Sequence, residues 1–121
     1  MFEWTVGNAY NMIVTIYPNN LTLNSYASSH FKDVRYCLLG INSNKLQLAI
    51  RPVTKNEIDL KIIKLENLHK VSIGKGYARI SNKNIINEIS VLLNMDISAQ
   101  KFKAEYDERE NMLIVDLSTV I

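Results

Sequence analysis

Tyr77-Ala78-Arg79-Ile80-Ser81-Asn82 runs into Lys83-Asn84-Ile85-Ile86-Asn87-Glu88-Ile89-Ser90-Val91-Leu92-Leu93-Asn94, and the hydrophobic period changes at the join. Before it, Val71 to Ile73 and Tyr77 to Ile80 read as extended segments around Gly74-Lys75-Gly76. After it, Ile85, Ile86, Ile89, Leu92 and Leu93 form one helical stripe, with Ser81 or Asn82 as the cap. Beyond Met95-Asp96 the period returns to two. Phe102, Ala104 and Tyr106 face one way, and Lys103, Glu105 and Asp107 face the other. Glu108 to Asn111 turns the chain, and Met112 to Leu117 comes back as the second arm of a hairpin.

Upstream the same order can be read. Asn11 to Tyr17 is a strand stopped by Pro18-Asn19-Asn20, and Leu21-Thr22-Leu23 resumes an extended pattern. Asn24-Ser25 offers the cap of a short helix through Tyr26, Ala27, His30, Phe31 and Val34. Arg35 to Ile41 and Leu46 to Val53 flank Asn42-Ser43-Asn44-Lys45 as a second hairpin, which Pro52 ends. Thr54 to Lys70 fits helix and strand equally, because Ile58, Ile62 and Leu65 have helical spacing while Ile58, Leu60 and Ile62 alternate.

The expected fold is therefore α+β: two β-α-β-β repeats (strand, helix, hairpin) packed as one compact domain over residues 1–121. The first repeat spans about 10–53, the connector 54–70, and the second repeat about 71–121. Leu23-Asn24 answers Ile80-Ser81 at the two strand-to-helix junctions.

That unit resembles the swapped-hairpin transition-state regulators of the SpoVT/AbrB type, and two units in one chain are similar to the MraZ arrangement. The resemblance covers roughly Leu21 to Val53 and Ala78 to Ser118 in pattern. It implies DNA binding through basic residues near the strand-helix junction, with Arg79 at the matching basic position. The sequence departs from that family in lacking the Gly-Arg pair before the strand and the Pro at the helix start. The first unit also has neither Lys nor Arg between Met1 and Phe31. The overall pattern is similar to small bacterial proteins as well, a likeness that carries no activity with it.

Composition narrows the function classes. The 121 residues hold 14 Lys+Arg against 12 Asp+Glu, a net charge of +2, and 47% hydrophobic residues. This is too apolar and evenly charged for a disordered chain, and the total charge alone does not imply nucleic acid. One cysteine excludes an internal disulfide, and with two distant histidines it builds no zinc site. Met1-Phe2-Glu3-Trp4 does not read as a secretory leader, and no run approaches the ~20 apolar residues of a membrane span. A cytoplasmic location without membrane contact is expected. Asn20-Leu21-Thr22 then matches the glycosylation sequon only by accident.

Charge is unevenly distributed. No acid lies between Glu66 and Glu88, whereas Lys70, Lys75, Arg79 and Lys83 do. These four are the candidate DNA-contacting residues, and the first turn of the Lys83 helix is placed to help hold a phosphate. Residues 91–121 carry Lys101, Lys103 and Arg109 against six acids. Gly74-Lys75-Gly76 reads as a tight turn, since it lacks the spacing of a phosphate loop. Cys37 alternates with Leu39 and Ile41 as a core residue. His30 reads as helix packing, and His69 has no second ligand at metal spacing. Asp107, Glu108 and Glu110 read as a solvated turn. Trp4, Tyr10, Tyr17 and Tyr26 have no basic neighbours in sequence, so they read as core or interface filling and not as a base-stacking platform.

No catalytic set, metal or cofactor is expected. The leading expectation is a small non-enzymatic DNA-binding module, a transcriptional regulator, that forms a homodimer through its apolar ends. The alternative is a structural or adaptor protein binding another protein through sheet edges and apolar termini.

Overall fold

The computed structural model describes residues 1–5 and 11–121. Eight strands form one closed antiparallel barrel. In chain order they are β1 (Met12–Ile16), β2 (Leu21–Leu23), β3 (Tyr36–Asn42), β4 (Gln47–Val53), β5 (His69–Gly74), β6 (Tyr77–Ile80), β7 (Gln100–Asp107) and β8 (Met112–Val120). Around the ring the order is β1-β2-β6-β5-β3-β4-β8-β7, and β7 closes on β1. The helices are short: α1 (Ser25–Ser28) with a 3-10 turn at Ser29–Phe31, α2 (Lys55–Asp59) and α3 (Lys83–Leu93).

This overturns the α+β expectation of two packed β-α-β-β repeats. Strands from residues 12–53 and 69–120 are interleaved in pairs, so half of the seams in the ring join one half of the chain to the other. No unit-on-unit interface exists. Single-sequence periodicity shows which residues alternate and which turn, but a closed ring and an open packed sheet have the same alternation. The first repeat's proposed start at residue 10, and Tyr10 itself, lie outside the described residues.

The inward positions fill the barrel. Val14, Ile16, Leu21, Leu23, Ile50 and Phe102 are fully buried, as are Leu48, Ile80 and Leu113. Among the described residues no polar or charged residue is buried. Each buried Leu, Ile or Phe contributes about 1.5–3 kcal/mol of transfer free energy. Inward apolar and outward polar is the reverse of a barrel that faces lipid. No helix among the described residues is long and apolar enough to cross a membrane.

The helices stopper the two mouths. β2 and β6 run antiparallel with Leu21 opposite Ile80 and Leu23 opposite Ala78. α1 follows Leu23 and α3 follows Ile80, so they sit at opposite ends. Ala27 and Phe31 join the core from one end, and Ile85, Ile86 and Ile89 from the other. Both caps are asparagines: Asn24 accepts from the Ala27 N–H at 3.1 Å, and Asn82 from the Ile85 N–H at 3.2 Å. Asn94 ends α3 in the left-handed conformation (φ 50°).

Local readings shift in three places. Pro52 lies inside β4 and does not end it, opposite Cys37 on β3. It is tolerated because β4 pairs with β8 only from Gln47 to Ile50, leaving the other side of Pro52 without a ladder. Leu46 is not in the strand but takes φ 52° in the turn before it. The ambiguous connector becomes α2, a 3-10 turn at Leu65–Asn67 and the start of β5 at His69. A capping box decides the helix: Thr54 Oγ1 accepts from the Glu57 N–H, and Glu57 accepts from the Thr54 N–H. A bulge in β8, where Asp116 accepts from the Ser118 N–H at 2.9 Å, lets the pair β7–β8 bend into the ring. At the N-terminus Phe2 and Trp4 are exposed, outside the core.

Candidate functional site

The sequence candidates Lys70, Lys75, Arg79 and Lys83 fall along the β5–β6 hairpin and its exit. Val71, Ala78 and Ile80 point inward, so Lys70 and Arg79 project outward from the wall, and both are exposed. Lys75 occupies the two-residue turn with Gly76, whose φ of +81° suits glycine. Lys83 opens α3 at the opposite end of β6. The four form a stripe along one hairpin and not a tight cluster.

Register extends that stripe across five strands. Arg79 stands opposite Ser72 on β5 and opposite Thr22 on β2. Thr22 pairs with Thr15 on β1, and Thr15 with Lys101 on β7. One outward rung therefore reads Ser72, Arg79, Thr22, Thr15, Lys101, with the two cations roughly 14 Å apart at about 4.8 Å per strand. On one side of it Lys70 faces Tyr36 of β3, and Tyr17 continues β1 past Thr15, with its N–H donating to the Asn20 carbonyl at 2.8 Å. On the other side Lys103 lies opposite Ile13, and Tyr77 projects from β6. β1, β2, β5 and β6 carry no Asp or Glu, and the first acid on β7 is Glu105. The wall is thus acid-free across β5, β6, β2 and β1 and at the Lys101 end of β7, with Lys70, Arg79 and Lys101 held on it, while Lys103 lies at its margin in a depression it shares with Glu105 and Asp116.

Lys101 and Lys103 are the residues that sequence reasoning missed. In sequence they belong to an acid-rich tail, and only the closure of β7 on β1 brings them onto the same wall as Arg79. Their outward direction was readable from the Phe102–Ala104–Tyr106 alternation, but their neighbours were not. Of the N-terminal aromatics read from sequence, Tyr17 lies on this wall, where Tyr36 and Tyr77 join it. Tyr17, Tyr36 and Tyr77 are 37%, 38% and 37% exposed and lie among these cations. Tyr36 follows Arg35 and Tyr77 lies between Lys75 and Arg79 in sequence, whereas Tyr17 meets cations only in space.

Arg79 is braced. A Cβ on Gly74 would fall 2.2 Å from Tyr77 Cζ, so the phenol ring lies across the bare glycine opposite it. The Arg79 guanidinium carbon sits 5.4 Å from the Tyr77 ring centroid, on the cation-π scale. Beside Tyr36 a surface depression of about 370 Å³ is lined by Arg35, Tyr36, Val53, Lys55, Ile58 and Asp33.

The remaining candidates have local roles. Cys37 is fully buried, and burial pushes its thiol pKa up to about 12. His30 stacks on Tyr106 with centroids 3.8 Å apart and planes 6° from parallel. Burial, then the nearby Glu108 carboxylate, raises the Tyr106 pKa above the ordinary tyrosine range. His69 Nδ1 lies 2.7 Å from the Asn82 amide nitrogen, and burial lowers its pKa. Asp107 accepts from the N–H groups of Arg109 and Glu110, which organises the β7–β8 turn.

Comparison with family models, with curated proteins and with solved structures finds no match for this chain.

Proposed function

We propose that this protein is a small non-enzymatic DNA-binding barrel whose contact surface is the outer wall of β7, β1, β2, β6 and β5. The observation that carries the reading is the acid-free face holding Lys70, Arg79 and Lys101, with Lys103 at its margin beside Glu105 and Asp116. Lys70, Arg79 and Lys101 with no carboxylate among them attract a polyanion, and Thr15, Thr22 and Ser72 supply hydroxyl donors for phosphate oxygens between them. The interior argues for an exterior function as well, since it is filled by apolar side chains and stoppered at both mouths. A role in transcription regulation, acting as a homodimer, completes the proposal.

The test is the salt dependence of binding to mixed-sequence DNA by fluorescence anisotropy. Each phosphate contact contributes about 0.7–0.9 to the slope of log affinity against log salt. The variant Lys70→Ala/Arg79→Ala/Lys101→Ala/Lys103→Ala loses most of that slope, while Lys61→Ala/Lys64→Ala on the β4–β5 connection keeps it. Unchanged affinity and slope in the fourfold variant would remove the proposal.

A second reading, a protein-binding adaptor, is favoured by a different observation. Leu60, Ile62 and Leu65 in the β4–β5 connection are 61%, 66% and 72% exposed within six residues.

A further inference from the structure

We infer that the strand this face takes is single, with unpaired bases stacking on its tyrosines and one base entering the depression beside Tyr36. The inference rests on the DNA-binding reading above and names its substrate class. A duplex is read by an element that enters a groove, a helix or a protruding ribbon. Here none of the three helices supplies one, and α2 (Lys55–Asp59) is only five residues long. α1 (Ser-Tyr-Ala-Ser) carries no charge, and α3 carries Lys83 and Glu88. The cations lie instead on the barrel wall, and the β5–β6 turn reaches out by only two residues.

What the wall presents on either side of its cation rung is aromatic. Tyr17 and Tyr36 flank the side of the rung that carries Lys70, and Tyr77 flanks the other. A duplex buries the faces of its bases within its own stack, so exposed rings gain nothing from it. A single strand offers those faces to any aromatic ring and still offers its phosphates to lysine and arginine. The depression beside Tyr36 fits the same ligand. Tyr36, Val53 and Ile58 give it ring and aliphatic walls, while Arg35 and Lys55 stand at it as cations against one acid, Asp33. It is large enough for a nucleobase, and a paired base has no access to it. Arg79, held over Tyr77 by the ring's contact with Gly74, is fixed for a phosphate before the strand arrives.

The experiment titrates the full chain into one fluorescein-labelled 20-nucleotide DNA of mixed sequence, single or annealed to its complement, at low and moderate salt. The inference expects the single strand to bind at least about tenfold tighter. Tyr36→Ala lowers single-strand affinity by about tenfold with little change in salt slope, as a stacking contact does. Tyr36→Phe restores affinity, and thermal melting of both variants shows that they are folded. If the duplex binds as tightly as the single strand, or if Tyr36→Ala leaves single-strand affinity unchanged, the inference is overturned while the phosphate-binding reading stands. If neither form binds at low salt, that reading fails together with this one.

Discussion

Asn82 holds the start of α3 and the start of β5 together, because its side-chain oxygen accepts from the Ile85 N–H while its amide group meets His69 Nδ1 at 2.7 Å. The cap uses the oxygen, so the amide must donate and Nδ1 must accept. His69 is therefore neutral, with its proton on Nε2.

Acidification loosens this junction. Burial holds the His69 pKa below the ordinary imidazole value, so the folded state binds its proton less readily than the unfolded chain. Stability is full above the unfolded pKa of about 6.5 and is lost as the pH falls from there through the folded pKa. Thermal melts between pH 8 and 5 should show this decline, and His69→Gln should flatten it. Equal pH slopes for the two proteins would refute the assignment.

The capping box on α2 gives a second test. Glu57 accepts from Arg51 at 2.6 Å and from the Thr54 N–H at 3.2 Å, so one carboxylate ties β4 to the helix. The Arg51 hydrogen bond, first of all, lowers its pKa. That contribution is present above the unfolded carboxyl pKa and disappears as the pH falls through the folded one. Thr54→Ala should cost about 1 kcal/mol, read as a lower urea midpoint with an unchanged m-value.

Cys37 should be inert. A thiol with a pKa near 12 inside the barrel supplies almost no thiolate at neutral pH. A thiol-disulfide reagent should label it rapidly in denaturant and, under native conditions, no faster than the protein unfolds. Rapid stoichiometric labelling of the native protein would place Cys37 outside the core.

Gly74 is the most restrictive position on the proposed contact face. An added methyl would collide with the Tyr77 ring, which is also the support of Arg79. Gly74→Ala should destabilise the hairpin by about 1–3 kcal/mol, as overpacking does. It should also lower DNA affinity more than Gly40→Ala, where nothing lies within 4 Å of the added carbon. Equal effects of the two substitutions would mean that Tyr77 swings aside freely.

Local chemistry in the sequence determined most of the strands, the alternation of Phe102 with Lys103, the Asn24 cap and the turn at Gly74-Lys75-Gly76, and narrowed the α3 cap to Ser81 or Asn82. Alternation, capping and turn propensity act over a few residues, so Phe102 against Lys103, or Asn24 before Ser25, can be read without a fold. The sequence also showed Lys70, Lys75, Arg79 and Lys83 in an acid-free stretch. Only the tertiary structure decided that the eight strands close into a ring and that no pair of α+β units forms. Ring closure depends on pairings such as Thr15 with Lys101 and Thr22 with Arg79, between residues more than fifty positions apart. Nothing local encodes such a pairing, because a strand's outward face reads the same whichever neighbour it acquires. The grouping of Lys101, Lys103 and Tyr36 with Arg79 is therefore a property of register, set by the packing of the apolar faces inside the barrel.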